Sequence, residues 1–216
     1  MKRLSPWVGM AAVGALLVLG GCKDDEIMPP PDTPPPVGSP ELLMAAFQAA
    51  TEGLDIEGYR QVLDPEFAIY LSQGTIEEFS LPREYFDYDE DMLISERMFA
   101  GQAITRPNGD IIPGITRIMF HYFQAEAAWA DAPDDHRFAG AVWAPFRVDL
   151  TVEQGNEGRA NIKGIIEFYL SSEPVEYQGS TVRDYRMVGQ VDYTNVRPAK
   201  RPTEDTAWGD LKALFR

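Results

Sequence analysis

A lone thiol, two imidazoles and a surplus of carboxylates are the groups in this sequence that could do chemistry. Cys22 is the only cysteine, and His121 and His136 are the only histidines, among 216 residues. A thiolate is a nucleophile and a metal ligand; an imidazole is a general base near neutral pH. His136 follows Asp131, Asp134 and Asp135, a mix of donors that could bind a metal. Their spacing matches no defined ligand set, so a solvated turn is expected there and no metal site. His121 lies in Phe120-His121-Tyr122, inside an expected strand. Alternation puts Ile118, Phe120 and Tyr122 on its apolar side and His121 with Arg117, Met119 and Phe123 on the other. A bulge would reverse this. Asp184 and Asp192, in a later strand, are expected to face solvent. No serine sits in a Gly-x-Ser-x-Gly elbow, and no glycine-rich phosphate loop follows a strand. No catalytic residue and no cofactor are therefore expected. The polar groups that alternation aims inward are Tyr122, Gln124, Tyr185 and Tyr193. They could line a pocket and orient a ligand; equally, a tyrosine can bury its ring and satisfy its own hydroxyl with no ligand present.

The thiol has a distinctive setting. Lys2 and Arg3 precede an uncharged apolar run from Trp7 to Gly21. At about 15 residues it is short of the roughly 20 that a helix needs to cross a bilayer. A basic start, an apolar middle and small residues at the end make a secretory signal peptide. Leu19-Gly20-Gly21-Cys22 closes that run, and Lys23-Asp24-Asp25-Glu26 turns sharply polar. These four residues resemble the lipobox of bacterial lipoproteins. The resemblance implies cleavage before Cys22, a diacylglyceryl thioether on its sulfur and acylation of its new amine. Lys23, where an aspartate would favour inner-membrane retention, suggests passage to the outer membrane with the folded part in the periplasm. One acyl chain binds a membrane only reversibly, and three should hold it. With no second cysteine, the mature chain contains no disulfide.

Three regions follow: residues 1–21 as leader, 22–38 as a lipidated tether and 39–216 as one folded domain. Met28 to Pro40 reads MPPPDTPPPVGSP, an extended, semi-rigid spacer of about 3.1 Å per residue. The chain carries 19 basic and 34 acidic residues, a formal charge of −15. Such a surface repels nucleic acid and anionic lipid.

The elements that must position the candidate groups can be read from caps and periodicity. Ser39 and Pro40 start a helix bearing Leu43, Phe47 and Ala50, with Gly53 as its stop. Asp55 caps a second helix with Ile56, Tyr59 and Leu63 on one side, ended by Asp64-Pro65. Phe67, Ile69 and Leu71 mark a strand. A loop then carries Pro82 to Asp87. A helix is expected from Tyr88 to Ala100, with Asp89, Glu90 and Asp91 in its first turn and Gly101 at its end. Arg106-Pro107-Asn108-Gly109-Asp110 is a turn. Long strands are expected over 114–129, 141–153, 161–171 and 181–194, with a hairpin turn at 154–158 and a bulge or bend at Gly189. Trp208, Leu211 and Phe215 make a short amphipathic helix.

Helices first and long strands after them predict an α+β fold, with helices packed on one face of a curved, mainly antiparallel sheet and a short C-terminal helix. Tyr59-Arg60-Gln61-Val62-Leu63-Asp64-Pro65-Glu66-Phe67 resembles the second helix and first strand of the NTF2-like, SnoaL-like superfamily, and the element order fits over most of residues 39–200. The resemblance implies a cone with a pocket between sheet and helices. Some members do isomerase or dehydratase chemistry there, and others bind a ligand or a protein. The C-terminal helix lies beyond the basic family pattern and resembles the ends of uncharacterised bacterial lipoproteins that carry such a domain. The leading expectation is a noncatalytic, lipid-anchored domain that binds a small ligand or an envelope partner. The alternatives are an isomerase, dehydratase or hydrolase using the cavity, and an assembly module. The family often dimerises through its sheet face, which here would involve Met119, His121, Phe123 and Tyr169.

Overall fold

The order of caps along the chain sets the first half of the fold. The structure, a computed structural model, describes residues 35–106, 109–155, 158–194 and 207–216. The segments expected to be leader, lipobox and most of the tether lie outside the described residues, as do the centres of the expected turns, at 107–108 and 156–157. Ser39 accepts the Leu42 N–H at 3.2 Å and opens α1 (Pro40–Gly53). The helix buries Leu43, Met44, Phe47 and Ala50, three to four residues apart, the spacing of one helical face. The left-handed residue that ends it is Leu54 rather than Gly53. Asp55 caps α2 (Ile56–Val62), which runs directly into β1 (Leu63–Tyr70).

The stretch expected to be loop holds two elements. Ser72 caps α3 (Gln73–Phe79), and β2 (Tyr85–Asp87) pairs antiparallel with β1. Asp87 then accepts the Glu90 N–H at 3.1 Å and caps α4 (Tyr88–Phe99). Gly101 takes φ +66°, a conformation that glycine adopts freely. A small hairpin, β3 (Ile104–Thr105) with β4 (Ile111–Ile112), closes around the expected turn, with the Arg106 N–H donating to the Asp110 carbonyl at 2.8 Å.

The second half is strand. β5 (Ile115–Ala125), β6 (Ala130–Asp131), β7 (Val142–Gln154), β8 (Gly158–Tyr177) and β9 (Ser180–Asp192) lead to α5 (Trp208–Leu214). The main sheet runs β2-β1-β9-β8-β7-β5, with β6 alongside β7. All its pairings are antiparallel except β1 with β9. The molecule is α+β, with five helices among the described residues and a curved, unclosed sheet. Among the described residues no helix is long and apolar enough to cross a membrane.

Between helices and sheet lies one large core. Its centre is aromatic: Phe168 meets Phe47, Phe123 and Phe146 at centroid distances of 5.2 to 5.8 Å, and Phe47 reaches Tyr59 at 5.9 Å. A smaller cluster of Ala132, Phe138, Ala141 and Tyr169 packs with Tyr70, Trp143, Val188 and Val191. It forms because the loop between β6 and β7 folds back over the other face of the sheet.

Ordered contacts begin ahead of Ser39. The Val37 N–H donates to Asp184 Oδ1 at 2.8 Å, and the Val37 carbonyl accepts the Tyr185 N–H at 3.0 Å. Asp184 therefore does not simply face solvent: it also takes Arg186 Nε at 3.0 Å.

Two bulges decide which side chains face inward. In β5, Phe120 pairs with Leu150 and Tyr122 with Asp149, so His121 is the extra residue. The Phe120 N–H donates at 2.8 Å to Glu52 Oε1 from α1, which keeps that donor satisfied. In β9, Met187 pairs with Leu170 and Gly189 with Tyr169, so Val188 is the extra residue. A one-residue offset moves every later side chain to the opposite face.

Candidate functional site

The bulges correct the expected cavity lining. Beyond His121, Phe123 turns into the core while Tyr122 stands 42% exposed and Gln124 is exposed. Beyond Val188, Gln190 and Asp192 turn inward, both at most 1% exposed, and Tyr193 stands 48% exposed. Of the four polar candidates only Tyr185, ahead of its bulge, packs against the core. His121 is exposed, with Nε2 2.9 Å from Thr151 Oγ1. His136 lies in a turn with Asp134 and Asp135 exposed, as expected, but its own ring is half-buried. Its ring stacks on Tyr169 at 4.8 Å and 11°, and Nδ1 accepts the Phe138 N–H at 3.3 Å. Tyr169 is itself 3% exposed beneath this loop, with its hydroxyl donating to Glu167 Oε2 at 2.9 Å. Burial, with Glu167 beside it, pushes that hydroxyl well above the usual tyrosine range.

The groups with the strongest chemistry are elsewhere, gathered around α5. Lys212, Asp91, Tyr59 and Ser95 are each at most 1% exposed. The Lys212 ammonium donates to Asp91 Oδ1, to Tyr59 Oη at 3.2 Å and to Ser95 Oγ at 3.1 Å. The Tyr59 hydroxyl donates to Asp91 Oδ2 at 2.9 Å. Burial pulls Lys212 below its ordinary range and Asp91 opposes this. Burial, then the Asp91 charge, push Tyr59 far above its own. Each element contributes for a local reason. Asp91 faces inward from the first turn of α4, Tyr59 from the middle of α2, and Lys212 lies one turn beyond Trp208 on α5. That i, i+4 relation to a buried tryptophan is the sequence signal for an inward lysine. Asp91 is 121 residues away from it in the chain, and no local pattern announces the pair.

A second polar knot fixes the other end of α5. Asp192 Oδ2 accepts the Gly209 N–H at 2.7 Å, and Oδ1 accepts the Thr194 N–H at 2.8 Å and its hydroxyl at 2.5 Å. Thr194 Oγ1 accepts the Trp208 N–H at 2.9 Å. Asp210 accepts the Thr75 hydroxyl at 2.6 Å and the Ala207 N–H at 3.0 Å. Residues 208–213 are all buried, so α5 occupies the interior between helices and sheet rather than lying on it. The expectation of an amphipathic helix is corrected here: its polar residues are as enclosed as its apolar ones. With Lys212, Asp91 and Tyr59 sealed, the cluster binds α5 and meets no solute in this arrangement.

Asp192 makes this docking pH-sensitive. Burial raises its carboxyl from 3.8 to about 6, against the lowering effect of Thr194 and Gly209. A carboxyl whose folded value lies above its unfolded one stabilises the fold while protonated. That contribution is complete below 3.8 and is lost as pH rises through about 6. Asp192→Asn removes it. The stability of wild type minus variant is expected to fall by about 3 kcal/mol between about pH 3 and pH 8, read by urea unfolding across that range. A constant difference would mean that Asp192 titrates normally.

Two open grooves stand out among the described residues. One, of about 360 Å³, lies between α1 and the end of β5 and is lined by Met44, Ala45, Gln48, Phe123, Gln124, Trp129 and Phe146. It is thus the place where one of the expected ligand residues, Gln124, meets a concave surface. The Trp129 ring lies 5.7 Å from Phe146. The other, of about 710 Å³, lies against α3, α4, β3 and α5 and is lined by Phe79, Leu81, Ile104 and Ala213 with Arg97, Arg106 and Arg216. Both volumes are in the range of small-molecule sites. Among known proteins, no family model matches this chain and no curated sequence is significantly similar to it.

Proposed function

We propose that this is a lipid-anchored protein of the bacterial cell envelope whose folded part is an NTF2-like cone that binds rather than catalyses. The lipobox pattern ending at Cys22 supports the anchor, with the domain in the periplasm at the outer membrane. Helices on one side of a curved, unclosed sheet support the cone. The observation that carries the binding reading is the occupation of the interior by α5. The groups that a cone enzyme would aim at substrate are already engaged: Lys212, Asp91 and Tyr59 with one another, Asp210 with Thr75, and Asp192 with the Gly209 N–H. A ligand or envelope partner is then met on the surface, and the groove beside Trp129 offers an aromatic wall, an apolar floor and the Gln48 and Gln124 amides.

Native mass spectrometry of the protein released from its own envelope tests this. The expected spectrum begins at Cys22, carries acyl mass there, and shows additional bound mass that Trp129→Ala loses. An unmodified Cys22 would overturn the anchor. Bound mass equal in wild type and Trp129→Ala, or absent from both, would overturn the groove.

A further inference from the structure

The larger groove gathers positive charge on a chain whose formal charge is −15. Three guanidiniums line it and no acidic side chain does. Arg216 is compensated, its Nε donating to Glu90 Oε1 at 2.5 Å. Arg97 donates to main-chain oxygens, that of Phe215 at 3.1 Å and that of Arg216 at 2.7 Å. Arg106 lies over the Phe79 ring at 5.8 Å. Neither Arg97 nor Arg106 pairs with an acidic side chain among the described residues, a state they share with Arg117 and Arg183, whereas Arg60, Arg83, Arg137, Arg147, Arg159 and Arg186 each have such a partner.

We propose that this groove is a binding site for a small amphiphilic oxyanion, a carboxylate or phosphate carried on an apolar body. A guanidinium presents paired N–H donors that match either head group. Phe79 supports Arg106 from below, since a cation is attracted to a ring face. Phe79, Leu81 and Ile104 provide the apolar wall on which the body of the ligand lies. The site is separate from the Trp129 groove and shares no lining residue with it.

The test is isothermal titration calorimetry on the full-length protein in phosphatidylcholine nanodiscs, with empty nanodiscs as blank. The probes are 4-butylbenzoate, 4-butylphenyl phosphate, inorganic phosphate and 4-butylbenzylammonium. The expected result is saturable binding of at least one organic anion and none of the ammonium. Arg106→Gln should weaken that binding by about tenfold or more, and Arg106→Lys by less, with unchanged circular dichroism in both. Trp129→Ala should leave it unaltered. The proposal is overturned if neither organic anion binds, or if Arg106→Gln binds as well as wild type. It is also overturned if the ammonium matches the anions, if inorganic phosphate alone accounts for the heat, or if Trp129→Ala abolishes binding.

Discussion

Replacing Lys212 with methionine is expected to cost the fold 3–5 kcal/mol, the usual effect of leaving one partner of a buried ion pair alone. Methionine keeps the length of the stem and removes the charge. Asp91 would then keep the Tyr59 hydroxyl and lose its ammonium in a site that water does not reach. The pair itself contributes less than this figure, because bringing both charges out of water offsets most of their attraction. Adding Asp91→Leu to Lys212→Met should therefore recover most of the loss. Urea unfolding of the two single variants and the double variant measures the coupling directly. Hydrogen exchange at residues 208–215 should rise in Lys212→Met and fall back in the double variant. A single variant within about 0.5 kcal/mol of wild type, the range of ordinary surface changes, would mean that the ion pair adds nothing to the docking of α5.

Gly189→Val is expected to destabilise by about 3 kcal/mol, at the upper end for overpacking a filled site. A Cβ at this position would overlap the edge of the Phe138 ring. The ring is 8% exposed, 4.7 Å from Tyr169 and 5.7 Å from Tyr70. It cannot slide aside without lifting the loop that carries it. Amide protection over residues 132–141 should collapse while the helices keep theirs. Tyr169 and Trp143 would be uncovered, so the variant should also self-associate as its concentration rises, seen in sedimentation velocity. Phe138→Ala in the Gly189→Val background should cost less than the sum of the single changes, since valine fills part of the vacated space. Unchanged protection of the loop would show that the ring has another resting place.

The legible parts of this fold are those decided within four residues. Ser39, Asp55 and Asp87 each cap a helix through a contact three residues on, and the sequence places α1, α2 and α4 accordingly. α3 has the same signal in Ser72 and the same length as α2, but α2 buries Tyr59 and Val62 whereas α3 buries only Thr75, so no apolar face sets it apart from a loop. Which face of a strand is buried is another matter. It depends on whether a neighbour pairs residue for residue: the extra residue at His121 becomes visible only against β7, and Gly189 marks the bulge at Val188 to within one residue without showing which side chains it turns inward. Asp192 and Tyr193 accordingly exchange their expected environments. The polar interior was out of reach for a related reason. Asp91 is one of three acids in the first turn of α4, and only the arrival of Lys212 from the end of the chain distinguishes it from Asp89 and Glu90.

The contact at Val37 gives the domain a mechanical property. Its two hydrogen bonds land on Asp184 and on the backbone of Tyr185 in β9, and the next fixed point along the chain is the cap of α1 at Ser39. Tension applied through the segment ahead of Val37 would therefore peel two bonds in sequence and then load the end of α1. The ladders between β9 and its neighbours would not be sheared. The entry point is therefore expected to give way before any strand of the sheet does.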